Sequence, residues 1–279
     1  MKLRLLLGVA VAGLALPLTS QAAIKAGDKV YIDFSRNNTE DGIIMPGPGT
    51  MDTTRGNNTG VADANGNYWN NAWYNTNNLS QSPPSVVNLI TNTNKDTGID
   101  LSFSKGWEAN GFRNGGLMDP NASLLGDIAF VNATGDYFFH NGTNSGALGY
   151  ATMTFSGLNP ELTYDFKFFA TRLQTNASDV RKTEYSITDI NGVHSTILQT
   201  TGPGIGAGGY NGNNNTFAYL EGIIPDEFGN ILLTVKVIEG GYAYLGTLQL
   251  TAVPEPGMYG IAAAAGCIAL IVARRRRRA

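Results

Sequence analysis

Two segments of the chain alternate apolar and polar residues with a period of two, and this alternation restricts the fold more than any other feature. The inward positions would be Leu162, Tyr164, Phe166 and Phe168 in one segment, and Ile231, Leu233, Val235 and Val237 in the other. Period-two alternation is typical of a β-strand with one buried face. Two such strands require facing sheets, so the predicted fold is all-β, an antiparallel β-sandwich.

Further short segments rich in β-branched and aromatic residues, bounded by Gly, Asn or Pro, support this prediction. The predicted strands are 28–34, 85–91, 99–104, 148–155, 162–170, 183–190, 195–200, 230–238 and 242–251. The sequence contains no long amphipathic helix, and one helical turn is predicted from Ala122 to Leu125. Residues 35–84 and 202–215 are rich in Asn and Gly and are predicted to be long loops.

The N-terminus carries the features of a signal peptide. Lys2 and Arg4 precede an apolar run from Leu5 to Leu18, and Ser20-Gln21-Ala22 offers small residues for a signal peptidase. The run is shorter than the roughly 20 residues that span a bilayer. Cleavage after Ala22 and export are therefore predicted, with an N-terminal anchor helix as the alternative.

The C-terminus carries three features in a fixed order. Val253-Pro254-Glu255-Pro256 is followed by an apolar segment from Met258 to Val272, and then by Arg274, Arg275, Arg276, Arg277 and Arg278. A helix over this segment would be short for a membrane span. Arginines next to a span stay in the cytoplasm, which places the preceding residues outside.

This tail, residues 253–279, resembles the PEP-CTERM sorting signal of bacteria that make extracellular polysaccharide or biofilm matrix. The resemblance implies that an exosortase recognises Pro254, Glu255 and Pro256, that the arginine cluster retains the chain, and that the body reaches the cell surface or matrix. The alternative is a permanent single-span anchor.

The body between the two signals, residues 23–252, is long enough for one large all-β domain. Of 19 basic and 22 acidic residues, the two ends hold seven and one, which leaves the body at about −9. This charge argues against nucleic acid as a partner. The single cysteine, Cys267, lies in the tail, so the body folds without a disulfide.

Short matches along the body resemble a module of PEP-CTERM proteins that is similar to galactose-binding-like jelly rolls. They include Val30-Tyr31-Ile32-Asp33-Phe34, Asn67-Tyr68-Trp69-Asn70-Asn71, Phe168-Phe169-Ala170-Thr171-Arg172 and Tyr242-Ala243-Tyr244-Leu245-Gly246. The resemblance implies an extracellular jelly-roll sandwich that binds glycans or exopolysaccharide.

Glycan sites combine an aromatic platform with hydrogen-bonding side chains. The densest such cluster holds Tyr68, Trp69, Asn70, Asn71 and Trp73, and Arg172 and Arg181 flank a loop between two predicted strands. These seven residues are the predicted glycan-binding site. In the alternative, the tryptophans pin a long loop onto the sandwich and the arginines pair with Asp165 or Asp179.

An enzyme is not predicted, because the body offers only His140 and His194 as histidines and neither lies in a nucleophile motif. No cofactor is predicted. Asp63-x-Asn65-x-Asn67 has the alternating oxygens of a calcium loop, although an Asn/Gly turn explains it equally well. Two functions remain open for the body, a glycan-binding module and a structural matrix component without a ligand site, with a secreted glycan-active enzyme that uses two carboxylates as a further alternative.

Overall fold

The computed structural model describes residues 24–36, 62–74, 79–111, 114–142, 149–174, 176 and 178–254. The predicted signal peptide, and the predicted tail from Glu255 onward, lie outside the described residues. Within the described ranges, no helix is both long enough and apolar enough to cross a membrane.

Strands dominate the described residues, as the sequence predicts. They are β1 (Lys29–Ser35), β2 (Asn70–Trp73), β3 (Asp100–Phe103), β4 (Glu108–Asn110), β5 (Tyr137–Asn141), β6 (Tyr150–Ser156), β7 (Leu162–Phe169), β8 (Arg181–Asp189), β9 (Gly192–Thr201), β10 (Ala218–Ile223), β11 (Ile231–Glu239), β12 (Tyr242–Leu245) and β13 (Thr247–Pro254). Two short helices, α1 (Ala122–Leu125) and α2 (Val131–Thr134), lie between β4 and β5.

The strands form two five-stranded sheets and one smaller sheet. The orders are β10-β7-β13-β1-β2 in the first sheet, β3-β6-β11-β8-β9 in the second, and β12-β5-β4 in the third. Along the chain, β6, β7 and β8 alternate between the two large sheets, and so do β9, β10 and β11. The prediction of a β-sandwich is confirmed, although β1 and β2 pair in parallel.

The core lies between the two large sheets and follows the predicted alternation. The inward residues of β7, among them Tyr164, Phe166 and Phe168, are fully buried. Phe166 packs edge-on against Phe155 at 5.6 Å, and Phe168 stacks on Tyr185 with ring centroids 4.3 Å apart. Aromatic contacts of this kind stabilise a core beyond the area they bury.

A second apolar cluster covers the outer face of the first sheet. Its buried members are Tyr31, Trp69, Leu117, Leu125, Ile128, Ala133 and Phe169. The predicted helical turn is confirmed as α1, where the Asn121 side chain accepts a hydrogen bond from the Ser123 N–H. The segment that carries α1 and α2 therefore closes over β1, which becomes buried on both faces.

Several strand predictions were wrong. Residues 85–91 form only isolated bridges, because the Asn70 side chain hydrogen-bonds both the N–H and the C=O of Ile90. The predicted strand 242–251 is two strands that belong to different sheets and are separated by Gly246. The predicted loops 35–84 and 202–215 are interrupted by β2 and a short 3₁₀ turn, Ala207–Gly209.

The β-sheet extends at least two residues beyond the predicted boundary of the body at residue 252. β13 continues through Val253 and Pro254, which lie opposite Thr163 and Leu162 of β7. Proline at the last position of a strand removes no inner hydrogen bond of the ladder. The first residue of the Pro-Glu-Pro motif therefore belongs to the sheet itself.

One carboxylate pair lies deep in the covered face. Asp33 and Asp136 are each only 3% exposed, and one oxygen of each lacks a hydrogen-bond donor. Asp136 accepts a hydrogen bond from the Arg36 N–H. Burial raises the pKa of both carboxyls well above its ordinary value, and the charge of Asp33 raises the pKa of Asp136 further.

We predict that Phe168→Ala lowers the free energy of unfolding by about 3–5 kcal/mol, because it leaves a cavity between the sheets. The matched control is Phe228→Ala, since Phe228 is 77% exposed. Urea unfolding measures both. A Phe168→Ala loss no larger than that of the control would contradict this core.

We also predict that stability falls as pH rises above the ordinary aspartate pKa of 3.8 toward the raised values of Asp33 and Asp136. In that window the folded chain holds protons that the unfolded chain has released, so rising pH favours unfolding. Asp33→Asn should flatten this decline in thermal unfolding between about pH 5 and about pH 8, whereas Asp119→Asn, at an exposed site, should not. A parent whose stability rises steadily over this range would refute the prediction.

Candidate functional site

A cleft of about 310 Å³ lies on one face of the three-stranded sheet. Its lining residues come from β4, β5 and β12, from the first residue of β8 and from the segment that follows β7. They are Glu108, Asn110, Phe139, Asn141, Arg172, Arg181, Tyr242 and Tyr244.

Strand register explains why these residues share a face. Phe139 of β5 pairs with Glu108 of β4 on one side and with Tyr244 of β12 on the other. Asn141 of β5 pairs with Tyr242 of β12. Paired positions across a sheet point to the same side. The intervening residues Ala109, Phe138 and Leu245 point the other way and join the core.

Arg181 is fixed within the cleft wall by several partners. Its Nε and Nη2 donate to Asp179 Oδ2, at 2.9 and 2.6 Å, and its Nη1 donates to the Tyr244 hydroxyl. The guanidinium also lies 4.6 Å from the centre of the Tyr242 ring. Burial lowers the pKa of Arg181, but Asp179 and Tyr244 together outweigh this effect, so the pKa lies above its ordinary value. Arg181 is thus a paired, structural charge.

Arg172 is held differently. Its backbone N–H donates to the Thr200 carbonyl, and its own carbonyl accepts from the Thr201 hydroxyl. The Arg172 Nη1 passes so close to Gly115 that a Cβ there would approach it to 2.9 Å. Among the described residues, no side chain forms an ion pair or hydrogen bond with the Arg172 guanidinium. The Arg172 guanidinium thus belongs to the cleft lining and has no side-chain partner in the described part of the chain.

Glu108 provides an acceptor in the same cleft. Its Oε1 is buried and accepts no hydrogen bond. Burial raises the pKa of Glu108 because it disfavours the charged form. A buried polar atom without a partner is uncommon in a folded protein, so Glu108 Oε1 is an acceptor that a ligand could satisfy, in the same cleft as the Arg172 guanidinium.

The floor of the cleft is held in place by hydrogen bonds that involve core residues. The Tyr185 hydroxyl donates to the Tyr244 carbonyl at 2.6 Å, and the Tyr244 N–H donates to the Thr183 hydroxyl. The Tyr137 hydroxyl donates to the Asn114 carbonyl. Burial raises the pKa of both Tyr137 and Tyr244. Tyr244 is almost fully buried, whereas Tyr242 keeps part of its ring exposed.

Three predicted site residues lie in the core, and this part of the prediction requires correction. Trp69, Asn70 and Asn71 are each 1% exposed. Trp69 stacks on Tyr31 at 5.0 Å, and its Nε1 donates to Asp63 Oδ2 at 2.8 Å. A side chain enclosed in this way presents no face to a sugar. The sequence could not reveal this burial, since nothing in the polar loop marks Asp63 as the partner of Trp69.

The two asparagines complete the hydrogen bonds of the backbone and of neighbouring side chains. Asn70 joins the Tyr31 carbonyl to the backbone of Ile90, and Asn71 Oδ1 accepts from the Ser35 hydroxyl. Tyr68 and Trp73 are partly exposed, on either side of this buried stretch, and neither lines the cleft. Of the seven predicted residues, the structure brings only Arg172 and Arg181 together.

Asp63 belongs to a turn. Its Oδ1 accepts from the N–H groups of Asn65 and Asn67, and its Oδ2 accepts from Trp69. These bonds use the oxygens that a calcium ion would need, and they support the Asn/Gly turn. Within the described ranges, no group of three or more His, Cys, Asp or Glu side chains could hold a metal ion.

The two histidines lie apart from the cleft lining. His140 Nδ1 contacts the Gly106 carbonyl at 2.8 Å, and His194 Nε2 contacts Asp189 Oδ1 at 2.9 Å. Hydrogen bonds from Ile224 and Asn191 lower the pKa of Asp189, together with His194, although burial opposes them. Asp189 lines a larger cavity of about 600 Å³, but its carboxylate is already satisfied there.

Sequence reasoning missed six lining residues. Glu108, Asn110, Phe139 and Asn141 lie in β4 and β5, which were not predicted, and Tyr242 and Tyr244 were assigned only to a strand. The one available signal was Tyr242-Ala243-Tyr244, where alternate aromatics next to a glycine place two rings on one face.

No family model and no curated protein matches the chain. Among solved structures, the carbohydrate-binding module TmCBM61, in complex with β-1,4-galactotriose, is 13% identical over 55% of this chain and 86% of its own, with a TM-score of 0.28. A family 32 module of C. perfringens NanJ, in complex with galactose, is 16% identical over 52% and 93%, with a TM-score of 0.24. The MgGH51 arabinofuranosidase is 13% identical, over 55% of this chain and 23% of its own, with a TM-score of 0.29. Likenesses this weak carry no conclusion about function.

Proposed function

We propose that the β-sandwich is a glycan-binding module and that the cleft on β4, β5 and β12 is its binding site. The observation that carries this proposal is a buried acceptor without a partner, Glu108 Oε1, in the same cleft as the Arg172 guanidinium, which has no ion-pair or hydrogen-bond partner among the described residues. Sugar hydroxyls both donate and accept, so one sugar residue can satisfy both groups.

The aromatic wall supports the same proposal. Sugar rings bind through apolar C–H faces against aromatic side chains, while their edges hydrogen-bond to polar groups. Tyr242 is the partly exposed ring of the cleft, and Asn110 and Asn141 place amides beside it. A cleft of about 310 Å³ also lies within the usual range for small-ligand sites.

The position of the cleft suits an exported binding protein. β13 runs from Thr247, which lies opposite Phe169, to Pro254, which lies opposite Leu162. Tyr244 and Arg172 are both next to the Thr247 end. Eight strand residues span roughly 25 Å, so the cleft and the start of the tail lie at opposite ends of the sheet.

We further propose that the tail is a PEP-CTERM signal, that an exosortase processes it, and that the body reaches the cell surface or matrix. The motif order and the short apolar segment support this proposal.

The competing function for the body is a structural matrix component without a ligand. Burial of Trp69 agrees with that reading for the loop, but it does not explain the unsatisfied acceptor of the cleft.

Arg172→Ala should weaken glycan binding at least about tenfold, because charged hydrogen bonds contribute about 1.5–3 kcal/mol. It should leave the melting temperature nearly unchanged, since the guanidinium has no partner among the described residues. Arg181→Ala should instead lower the melting temperature, because it breaks the contacts to Asp179 and Tyr244. The purified full chain in mild detergent would first be screened on a glycan array, and titration calorimetry would follow.

The control for binding is Lys95→Ala, which removes an exposed charge outside the cleft. If the array yields no ligand, or if folded Arg172→Ala binds as tightly as the parent, the cleft is not the binding site.

Replacing Pro254-Glu255-Pro256 with three alanines should leave a full-length, membrane-bound form. Prolines lack an amide proton and disfavour helix at the residue before them, so the motif keeps the chain extended for a protease. Pro160→Ala, at an exposed site in the body, is the control. Mass spectrometry of the exported parent decides the outcome, since a mature C-terminus that retains residues 258–279 would mark a permanent anchor.

A further inference from the structure

The two arginines of the cleft differ in whether a carboxylate pairs with them, and this difference indicates which class of ligand the cleft can bind. Arg181 is neutralised by Asp179, at 2.6 Å. Arg172 has no carboxylate within ion-pair distance among the described residues, and Glu108, the carboxylic acid of the cleft lining, is not its partner. The cleft therefore holds one guanidinium that the carboxylates of the described residues leave uncompensated.

The backbone that carries the Arg172 side chain is also fixed. Backbone bonds at Thr200 and Thr201 fix its Cα, and Gly115 leaves room for Nη1 to lie against the backbone. Gly115 has a φ of +89°, a conformation that disfavours other residues, so this room is built into the local backbone. The planar guanidinium fork is itself preorganised, so it loses less freedom per hydrogen bond when it binds two oxygens.

A partly buried guanidinium prefers a carboxylate to a hydroxyl. Two parallel N–H···O bonds to a carboxylate are stronger than bonds to neutral oxygens, and they offset the cost of removing the charge from water. A neutral sugar could satisfy Glu108 Oε1 but would leave the charge of Arg172 uncompensated. A sugar that carries one carboxylate and several hydroxyls could satisfy both groups at once.

We propose that the cleft selects acidic glycans, in which a uronate carboxylate binds Arg172 and a hydroxyl of the same or the adjacent sugar residue donates to Glu108. This inference rests on the proposed glycan-binding function and specifies its ligand class. The overall negative charge of the body, about −9, does not prevent such binding. At physiological ionic strength, charges more than about 8 Å apart are largely screened, so the local guanidinium dominates.

The experiment compares polyuronates with neutral polymers of the same linkages. Polygalacturonate, alginate and polyglucuronate would each be titrated against the full chain in detergent at physiological salt, beside a carboxyl-reduced form of each polymer. At least one polyuronate should bind about tenfold more tightly than its reduced form, because a charge-assisted pair replaces a neutral one.

Substitutions at Arg172 test whether this residue causes the preference for acidic polymers. Arg172→Gln should bring the affinity ratio between the acidic and reduced polymers close to one, and Arg172→Lys should give an intermediate ratio, since lysine keeps the charge but loses the fork. Lys95→Ala should leave the ratio unchanged. Circular dichroism checks that each variant is folded.

Two negative results are distinguishable. If neutral glycans bind in an Arg172-dependent way, and no polyuronate exceeds its reduced form, the inference about acidic glycans fails while the glycan-binding function stands. If neither the array nor any polymer of this panel shows binding, both fail. A preference for polyuronates that persists in folded Arg172→Gln would also overturn the assignment to Arg172.

Discussion

The stack of Phe168 on Tyr185 is the contact on which both the sandwich and the cleft depend. The two rings lie parallel, 4.3 Å apart, and they join the first large sheet to the second. The body contains no cysteine, so side-chain packing alone holds the sheets together. The Tyr185 hydroxyl, at the far end of the same ring, donates to the Tyr244 carbonyl. Core packing and the geometry of the cleft floor are thus set by one side chain.

Most of the strands that were predicted correctly have one face in the core and one that is partly exposed, although β1 was also predicted and is buried on both faces. β6, β7 and β11 alternate clearly, and their side chains follow the alternation in the structure. β5 was missed because its first four residues are buried on both faces, and β4 because it has only three residues. Asn70–Trp73 was assigned to a loop on composition, although Asn70 satisfies its amide inside the fold. Composition reports the polarity of a segment but not whether the fold supplies partners for it.

The candidate site shows the same limit. Arg172 and Arg181 were singled out because they flank one loop between two predicted strands, and both line the cleft, although Arg181 forms the structural pair with Asp179 that was the alternative. Their different roles could not be predicted, since these depend on Asp179 and Tyr244 meeting only one of them. The aromatic cluster at residues 68–73 was predicted to bind a glycan, but its central residues are buried by partners inside the fold. Its central tryptophan found a hydrogen-bond acceptor in Asp63 and a ring partner in Tyr31, and so it became part of the core.

The arrangement of β13 connects the two proposed ends of the molecule. This strand lies between β7 and β1, with eight paired positions on one side and five on the other. A pull on the chain at Pro254, from a membrane or a matrix attachment, acts along the strand. Such a force must shear the β13–β7 and β13–β1 hydrogen bonds together and cannot break them one pair at a time. The cleft lies beyond the opposite end of the same strand, next to Thr247. An attachment at Pro254 thus loads the most paired part of the first sheet and leaves the cleft-lining side chains of the smaller sheet outside the loaded strand.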